Sequence, residues 1–358
     1  MATRAASRAG ALALALFTTL TAATPAYTPV LPTTLLAFPR DHGAHPGFRT
    51  EWWYITGWLQ TPDGKPQGFQ ITFFRTRPPT NSANPSNFAP NQILFAHAAL
   101  SDPDVGHLLH DQRIARTGFG LAETSTRTTA ITLDDWTLDR AATGTLKAHI
   151  PSKDFGFDFT LAPSQPELLQ GRNGYSQKGP APSQASHYYS LPQLKLTGTL
   201  TRNGKPVPVT GTAWLDREWS STYLDPRAIG WDWLGLNMDD GSALTLFQIR
   251  KKDGTALWAG GSHRSSTGQK TILTPQDVTF TPGRLWHSKA TNTRYPVAPM
   301  VTVTLRGKPV KLQISPLMNN QELDSRRGGG PVYWEGAVTV PGGKGYLELT
   351  GYQSPLKM

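Results

Sequence analysis

Residues 50–77 read TEWWYITGWLQ-TPDGKPQ-GFQITFFRTR, and the fold follows from how this stretch is read. Two runs rich in aromatic and β-branched residues flank a polar segment that carries Asp63-Gly64. Strand, Asp-Gly turn and strand make a β-hairpin. Side chains alternate across a strand. Glu51, Trp53 and Ile55 therefore share one face, and Trp52, Tyr54, Thr56 and Trp58 share the other. Both faces carry aromatic rings. One is expected to be covered by core or ligand and the other by a neighbouring domain.

Outward from the hairpin the pattern stays β-like. PPTNSANPSNFAPN (78–91) is a polar loop, and ILFAHAAL (93–100) reads as the next strand. Helical periodicity is weak, with one short candidate near 164–170. An echo of the first hairpin lies in the second half. GWDWLGLNM (230–238) is followed by Asp240-Gly241 and Phe247-Gln248-Ile249, as the aromatic strand at 50–60 is followed by Asp63-Gly64 and Phe69-Gln70-Ile71. Each FQI precedes an aromatic-Ala pair and a histidine: Phe95-Ala96-His97, and Trp258-Ala259 with His263. Such self-similarity predicts two related β domains. The boundary is expected near 200–207, in TRNGKPVP. PVYWEGAVTV (331–340) and GYLELTGY (345–352) form a last hairpin placed to close a sheet. The expected fold class is all-β, with two tandem β domains over 38–203 and 204–355. A sheet closed into a barrel removes its edges and can hold one ligand.

Composition agrees. Hydrophobic residues make up 38% of the 358 and charged residues 17%, which is globular rather than disordered. The 34 glycines and 30 prolines suit a chain with many turns. The formal charge of +10 is scattered. No basic run or nucleic-acid motif accompanies it, so it reads as a solvated surface and nucleic acid is not an expected partner. Residues 1–26 read as an export signal: Arg4 and Arg8, then an apolar stretch at 11–20, then small residues to Ala26. An uncleaved N-terminal anchor is the alternative. The chain has no cysteine, which removes disulfides, thiolate metal sites and a lipoprotein anchor. An exported, periplasmic or secreted protein is expected.

Chemistry is sought first in GTAWLDREWSSTYLDPRAIGWDW (211–233). If WLDREWS is extended, Trp214, Asp216 and Glu218 share one face, and Arg217 and Trp219 the other. Two carboxylates among indoles suit acid/base work, because desolvation raises carboxyl pKa values. The competing reading is an ion pair of either acid with Arg217 or Arg227. Asp232, between Trp231 and Trp233, could stay protonated and donate to a carbon–carbon double bond, with indole faces stabilising the cation. The alternative has Asp232 facing solvent or a turn. Trp53, Trp219, Trp231 and Trp233 would hold an apolar chain, with Tyr54, His97, Arg217 and Gln248 as further ligand contacts. A histidine on an apolar strand is more often a satisfied core residue than a catalyst, which is the other reading of His97. Glu51 reads as a ligand contact or as the partner of Arg49, Arg75 or Arg217. His42 and His45 lie in a Gly/Pro loop rather than on a helical face, so no metal is expected. Ser220 and Ser221 lack a nucleophile elbow.

FPRDHGAHPGFRTEWWYITGWLQ, GFQITFFRTR, AHAALSD, WLDREWSS and GWDWLGLNMDDG, in that order, resemble the AttH/CrtC-like proteins, relatives of the carotenoid 1,2-hydratases. The resemblance covers 38–352. It implies two lipocalin-like β-barrel domains with an apolar-ligand cavity at or near their junction. In the hydratases water adds across a double bond of an acyclic carotenoid without a redox cofactor, and the acid is an aspartate among aromatics. Asp232 and Asp216 are the candidates for it here. Other members resemble partners of export or transport systems. Two functions are therefore expected for test: a cofactor-free hydratase, or a carrier or chaperone of an isoprenoid or lipid-like ligand.

Overall fold

The computed structural model describes residues 27–79, 86 and 89–356. The segment read as an export signal lies outside the described residues, as does part of the 78–91 loop.

The opening hairpin is β1 (Thr50–Gln60) and β2 (Pro66–Thr76), joined through Gly64 at φ 79°. β3 (Ile93–Ser101) and β4 (Leu109–Arg116) continue the meander. Five shorter strands follow: β5 (Ala122–Thr124), β6 (Ala130–Leu133), β7 (Trp136–Arg140), β8 (Leu146–Pro151) and β9 (Phe155–Ala162). β10 (Leu168–Leu169) and β11 (Tyr175–Gln177) lead into a long hairpin of β12 (Ala185–Arg202) and β13 (Lys205–Ser220). These strands form one sheet in the order β4-β3-β2-β1-β13-β12-β9-β8-β7-β6-β5, with β10 and β11 beside β12. The sheet curls until β3 and β4 pack on β6. Trp53, Ile55, Phe69, Ile71, Phe73, Trp136, Phe157 and Phe159 fill its interior.

The second unit begins with β14 (Ala228–Met238), β15 (Ala243–Lys251), β16 (Ala256–Arg264) and β17 (Lys270–Leu273). β18 (Val278–His287), β19 (Arg294–Leu305) and β20 (Lys308–Gln313) make a separate three-stranded sheet. β21 (Ser315–Pro316) and β22 (Glu322–Asp324) precede the last hairpin, β23 (Val332–Val340) and β24 (Gly343–Leu349). The main sheet runs β17-β16-β15-β14-β24-β23-β21, with β22 on β23. The last hairpin thus closes this sheet against β14. Leu234, Leu246, Val301, Trp334 and Leu347 form the core between the two sheets. The chain is all-β, with two tandem lipocalin-like β-barrel units.

Three expectations need correction. Residues 164–170 form no helix; they are irregular chain followed by the two-residue β10. TRNGKPVP is not a linker between units. Asn203 and Gly204 have φ 49° and 72° and make the tight turn between β12 and β13, both inside the first sheet. The chain crosses to the second unit after Ser220, over 221–227. The FQI echo also fails in register. Phe69 lies five positions after Gly64, and Phe247 lies six positions after Gly241. A one-residue offset exchanges the faces of a strand. Phe69 and Ile71 therefore enter the first core, whereas Phe247 and Ile249 face the junction.

Candidate functional site

The two units meet sheet against sheet. The face of β1 that carries Tyr54 and Trp58 packs with Trp214, Trp233, Phe247, Ala337 and Tyr346. Trp58 Nε1 donates to the carbonyl of Gly345 at 3.0 Å. Gly68 allows the closest approach: a Cβ there would meet Ala337 Cβ and Tyr346 Oη at 2.6 Å. Beside this contact the sheets part around a cavity of ≈ 310 Å³, at the small end of the range for small-molecule sites.

The lining follows from strand alternation. The first unit contributes Trp52 and Tyr54 from β1, Gln70 and Phe74 from β2, Phe95 and His97 from β3, and Asp216 and Glu218 from β13. The second contributes Trp231 and Trp233, Phe247 and Ile249, Tyr333 and Glu335, and Glu348. Lys178 and Tyr223 come from the connecting segments. The wall is mainly apolar and rich in aromatic rings, yet four carboxyl groups face it.

The four acids differ in their partners. Asp216 accepts from Tyr188 Oη and Trp214 Nε1 at 2.6 Å each, and from Ser190 Oγ. Burial outweighs these bonds and pushes its carboxyl up to about 7. Glu218 accepts from Ser186 Oγ and pairs with Lys178 at 3.1 Å. The Lys178 ammonium also lies 4.2 Å from the Phe247 ring centroid and 4.6 Å from that of Tyr188. Burial pulls its pKa down. Glu348 accepts from Trp231 Nε1 at 2.7 Å, and burial raises it to about 7.

Glu335 is the exception. It is 1% exposed, and neither carboxyl oxygen has a hydrogen-bond partner. Burial, and then the charge of Glu348, raise its pKa well above the ordinary range. It stands opposite Glu348 in the β23–β24 register. The Tyr54 hydroxyl, near enough to bear on its titration, is likewise buried and unpartnered. Burial thus favours the protonated, uncharged form of Glu335.

On the opposite wall, His97 Nδ1 lies 2.8 Å from the Tyr333 hydroxyl, and Gln70 Nε2 lies 3.2 Å from the same oxygen. If Gln70 donates, the Tyr333 proton is left for His97 Nδ1, and the imidazole carries its hydrogen on Nε2. Burial drives His97 down to about 3, so the ring is neutral.

The sequence-predicted residues divide between this cavity and the two cores. Asp216, Glu218, Tyr54, His97, Trp231 and Trp233 line the cavity. Glu51, Trp53, Arg217 and Trp219 do not. Glu51 is ion-paired to both Arg75 and Arg217 inside the first unit, and the Arg217 guanidinium lies 3.7 Å from the Trp53 ring centroid. Neither Asp216 nor Glu218 pairs with Arg217, and Arg227 pairs with Asp225. Asp232 and Gln248 point into the second unit, because Trp231 and Trp233 take the cavity face of β14. Asp232 pairs with Arg250 at 2.9 Å and accepts from Gln248 at 2.6 Å and Tyr352 at 3.1 Å. His42 and His45 bond to Tyr189 and Glu51. Among the described residues no group of three or more His, Asp or Glu is arranged to hold a metal.

Sequence reasoning passed over Lys178, Glu335 and Glu348. The last two were legible in VYWEGAVTV and GYLELTGY as acids at alternate positions of apolar strands. Their convergence depends on how the last hairpin pairs, which periodicity does not give.

No curated protein matches the chain by sequence. The crystal structure of an AttH protein from Nitrosomonas europaea is 54% identical, with TM-score 0.84, over 91% of this chain and 99% of that one. Kievitone hydratase from Nectria haematococca shares the fold at 14% identity and TM-score 0.65, over 92% and 97% of the two chains. CghA, solved with Sch210972, shares it at 14% identity and TM-score 0.52, over 84% and 88%. The AttH-like family model matches residues 29–352, nearly all of the described chain, and the protein belongs to the AttH-like family.

Proposed function

We propose that the protein takes an apolar, isoprenoid- or lipid-like molecule into the junction cavity and adds water across one of its carbon–carbon double bonds, without a cofactor. The observation that carries this reading is Glu335: a buried carboxyl group with no partner at hydrogen-bond distance, in a wall rich in aromatic rings and directly opposite a second glutamate. Its proton passes to one alkene carbon. The carbocation on the other carbon faces the rings of Trp231, Trp233 and Tyr54. Water adds there and loses a proton to the carboxylate just formed, which restores the acid. The cavity holds a compact ring system or the end of a longer chain. Kievitone hydratase, which shares this fold, is named for the same class of reaction.

A non-catalytic carrier, working with an export or transport system, would use the same aromatic cavity. The buried acids favour the enzyme. An apolar ligand gains nothing from them, and burying polar groups unpaired costs about 1–3 kcal/mol each. Export through the segment at 1–26 belongs to either reading, and the mass of the chain recovered from outside the cytoplasm tests it.

The function is tested by native mass spectrometry of the purified protein, followed by incubation of the recovered ligand with protein in H₂¹⁸O. A ligand that gains one labelled hydroxyl with the parent, and none with Glu335→Gln, supports the hydratase. A bound apolar ligand that neither protein hydrates leaves the carrier. Binding confined to polar molecules overturns both.

A further inference from the structure

A second cleft lies at another edge of the junction. Residues 164–169 of the first unit form one wall, and Arg264, Lys270 and the hairpin tip between β16 and β17 form the other. Arg264 is only 4% exposed. Its Nη1 donates to the carbonyl of Pro166 at 2.8 Å, while Nε and Nη2 have no hydrogen-bond partner. Nε and Nη2 make the fork with which guanidinium grips a carboxylate or phosphate. Two other arginines show that fork filled by a carboxylate. Arg227 spans Asp225 with Nε and Nη2 at 2.8 and 3.0 Å, and Arg326 spans Asp324 at 2.9 and 2.6 Å. Among the described residues no carboxylate pairs with Arg264 or Lys270.

Lys270 spends two of its N–H groups on the carbonyls of Leu169 and Gly171, at 3.0 Å each. Its third has no partner of opposite charge. The tip that joins the two cations reads Ser266-Thr267-Gly268 and is exposed. The one acid on the cleft, Glu167, lies 3.4 Å from His42 Nε2. Two buried or half-buried cations thus share a cleft with a single, already engaged acid. A buried charge without a counter-charge is costly. Burial alone depresses both Arg264 and Lys270. Because the fork is also shielded from bulk water, solvent does not satisfy it. A phosphate that reaches the fork would have to displace the exposed tip.

We propose that this cleft is a binding site for a phosphate group, free or as a monoester, held by the Arg264 fork and Lys270 with the hydroxyls of Ser266 and Thr267 as further donors. Paired cations with hydroxyl donors suit an anion with several oxygens and more than one charge better than a carboxylate. The site is separate from the junction cavity, and occupancy would tie the two units together across it.

The test is calorimetric titration of the whole protein with inorganic phosphate, methyl phosphate and acetate at fixed ionic strength, with thermal unfolding in parallel. Phosphate is expected to bind and to raise the midpoint. Arg264→Leu should weaken it by about tenfold or more, the scale of one lost charged hydrogen bond. Lys270→Gln should weaken it less. Arg264→Lys, which keeps the charge and loses the fork, should fall between parent and Arg264→Leu, and it serves if the leucine variant does not fold. Methyl phosphate binding as well as phosphate would assign the site to monoesters; its failure to bind would assign it to the free ion. Acetate binding equal to phosphate overturns the proposal. So do unchanged affinity in the Arg264 variants and no phosphate binding by the parent at millimolar concentration. None of these readouts involves hydration, so the result stands apart from the fate of the proposed reaction.

Discussion

Glu335 and Glu348 face each other across the β23–β24 pair, both turned into the junction cavity. Trp231 donates to Glu348, whereas Glu335 has the Tyr54 hydroxyl nearby but no donor at hydrogen-bond distance. Like charges directly opposite on a sheet repel, so the pair keeps at least one proton near neutral pH. Glu335, the less solvated by donors, is the one that keeps it. Glu335→Gln is therefore expected to leave stability within about 1 kcal/mol of the parent, because no paired charge is lost. Turnover should fall by about 100-fold or more while the ligand still binds. Denaturant unfolding, labelled-water incorporation and native mass spectrometry read the three quantities. A variant that hydrates at the parental rate removes Glu335 from the chemistry.

Tyr54→Phe deletes a buried hydroxyl that has no hydrogen-bond partner. Removing such a group is expected to be neutral or mildly stabilising without ligand. A loss above about 1 kcal/mol in thermal unfolding would mean that the hydroxyl is satisfied in the folded protein.

Each buried group's contribution to the pH dependence of stability has a definite sign. Asp216 and Glu348 are raised to about 7, and unfolded carboxyls titrate near 4. Between about pH 4 and 7 these two carboxyls hold more protons in the folded chain than in the unfolded one, so their contribution falls as pH rises, while His97 and His187, lowered by burial to about 3 and 4, contribute in the opposite direction. Asp41 and Glu51 are depressed by their hydrogen bonds and by cationic neighbours. Their contribution is present above the unfolded carboxyl value and is lost as pH falls below about 4. Glu348→Gln should flatten the slope between about pH 5 and 7 in chemical denaturation. An unchanged slope would show that Glu348 does not carry it.

Glu51 sits between Arg75 and Arg217 with no exposure of its own. Arg217→Met should destabilise by about 3–5 kcal/mol, the cost of breaking a buried pair from one side, less whatever Arg75 retains. Combining it with Glu51→Gln should cost much less than the sum, because the stranded charge is gone. A double-mutant cycle by urea unfolding measures this. Additive losses would mean that the two side chains do not interact.

Asp232→Asn separates the two acids that the sequence placed on equal terms. Asp232 belongs to the second unit's interior with Arg250. Its amide variant should lose about 3 kcal/mol of stability, with ligand binding and hydration intact in the surviving folded protein. Asp216→Asn should instead change the cavity, since Asp216 lines it. Loss of hydration in a stable Asp232→Asn variant would contradict this division.

The sequence by itself determined the strands and the faces of each strand. Alternation placed Trp53 and Ile55 against Trp52 and Tyr54, and Asp216 and Glu218 against Arg217, and the structure keeps those divisions. The Asp63-Gly64 hairpin was equally legible, because its turn chemistry is local. Asn203-Gly204 carried the same signal, but its position near mid-chain suggested a boundary. Only the tertiary structure decided which faces meet. The offset of one residue between the FQI triplets, harmless to strand formation, reverses what each presents to the junction. Asp232, flanked by two cavity-facing tryptophans, must point the other way, and whether that direction held solvent, core or ligand depended on the sheet behind it. The Glu335–Glu348 pairing depended on the register of the last hairpin. A carboxyl group's role is set by which donors and charges reach it across strands distant in sequence, and no local periodicity encodes those distances.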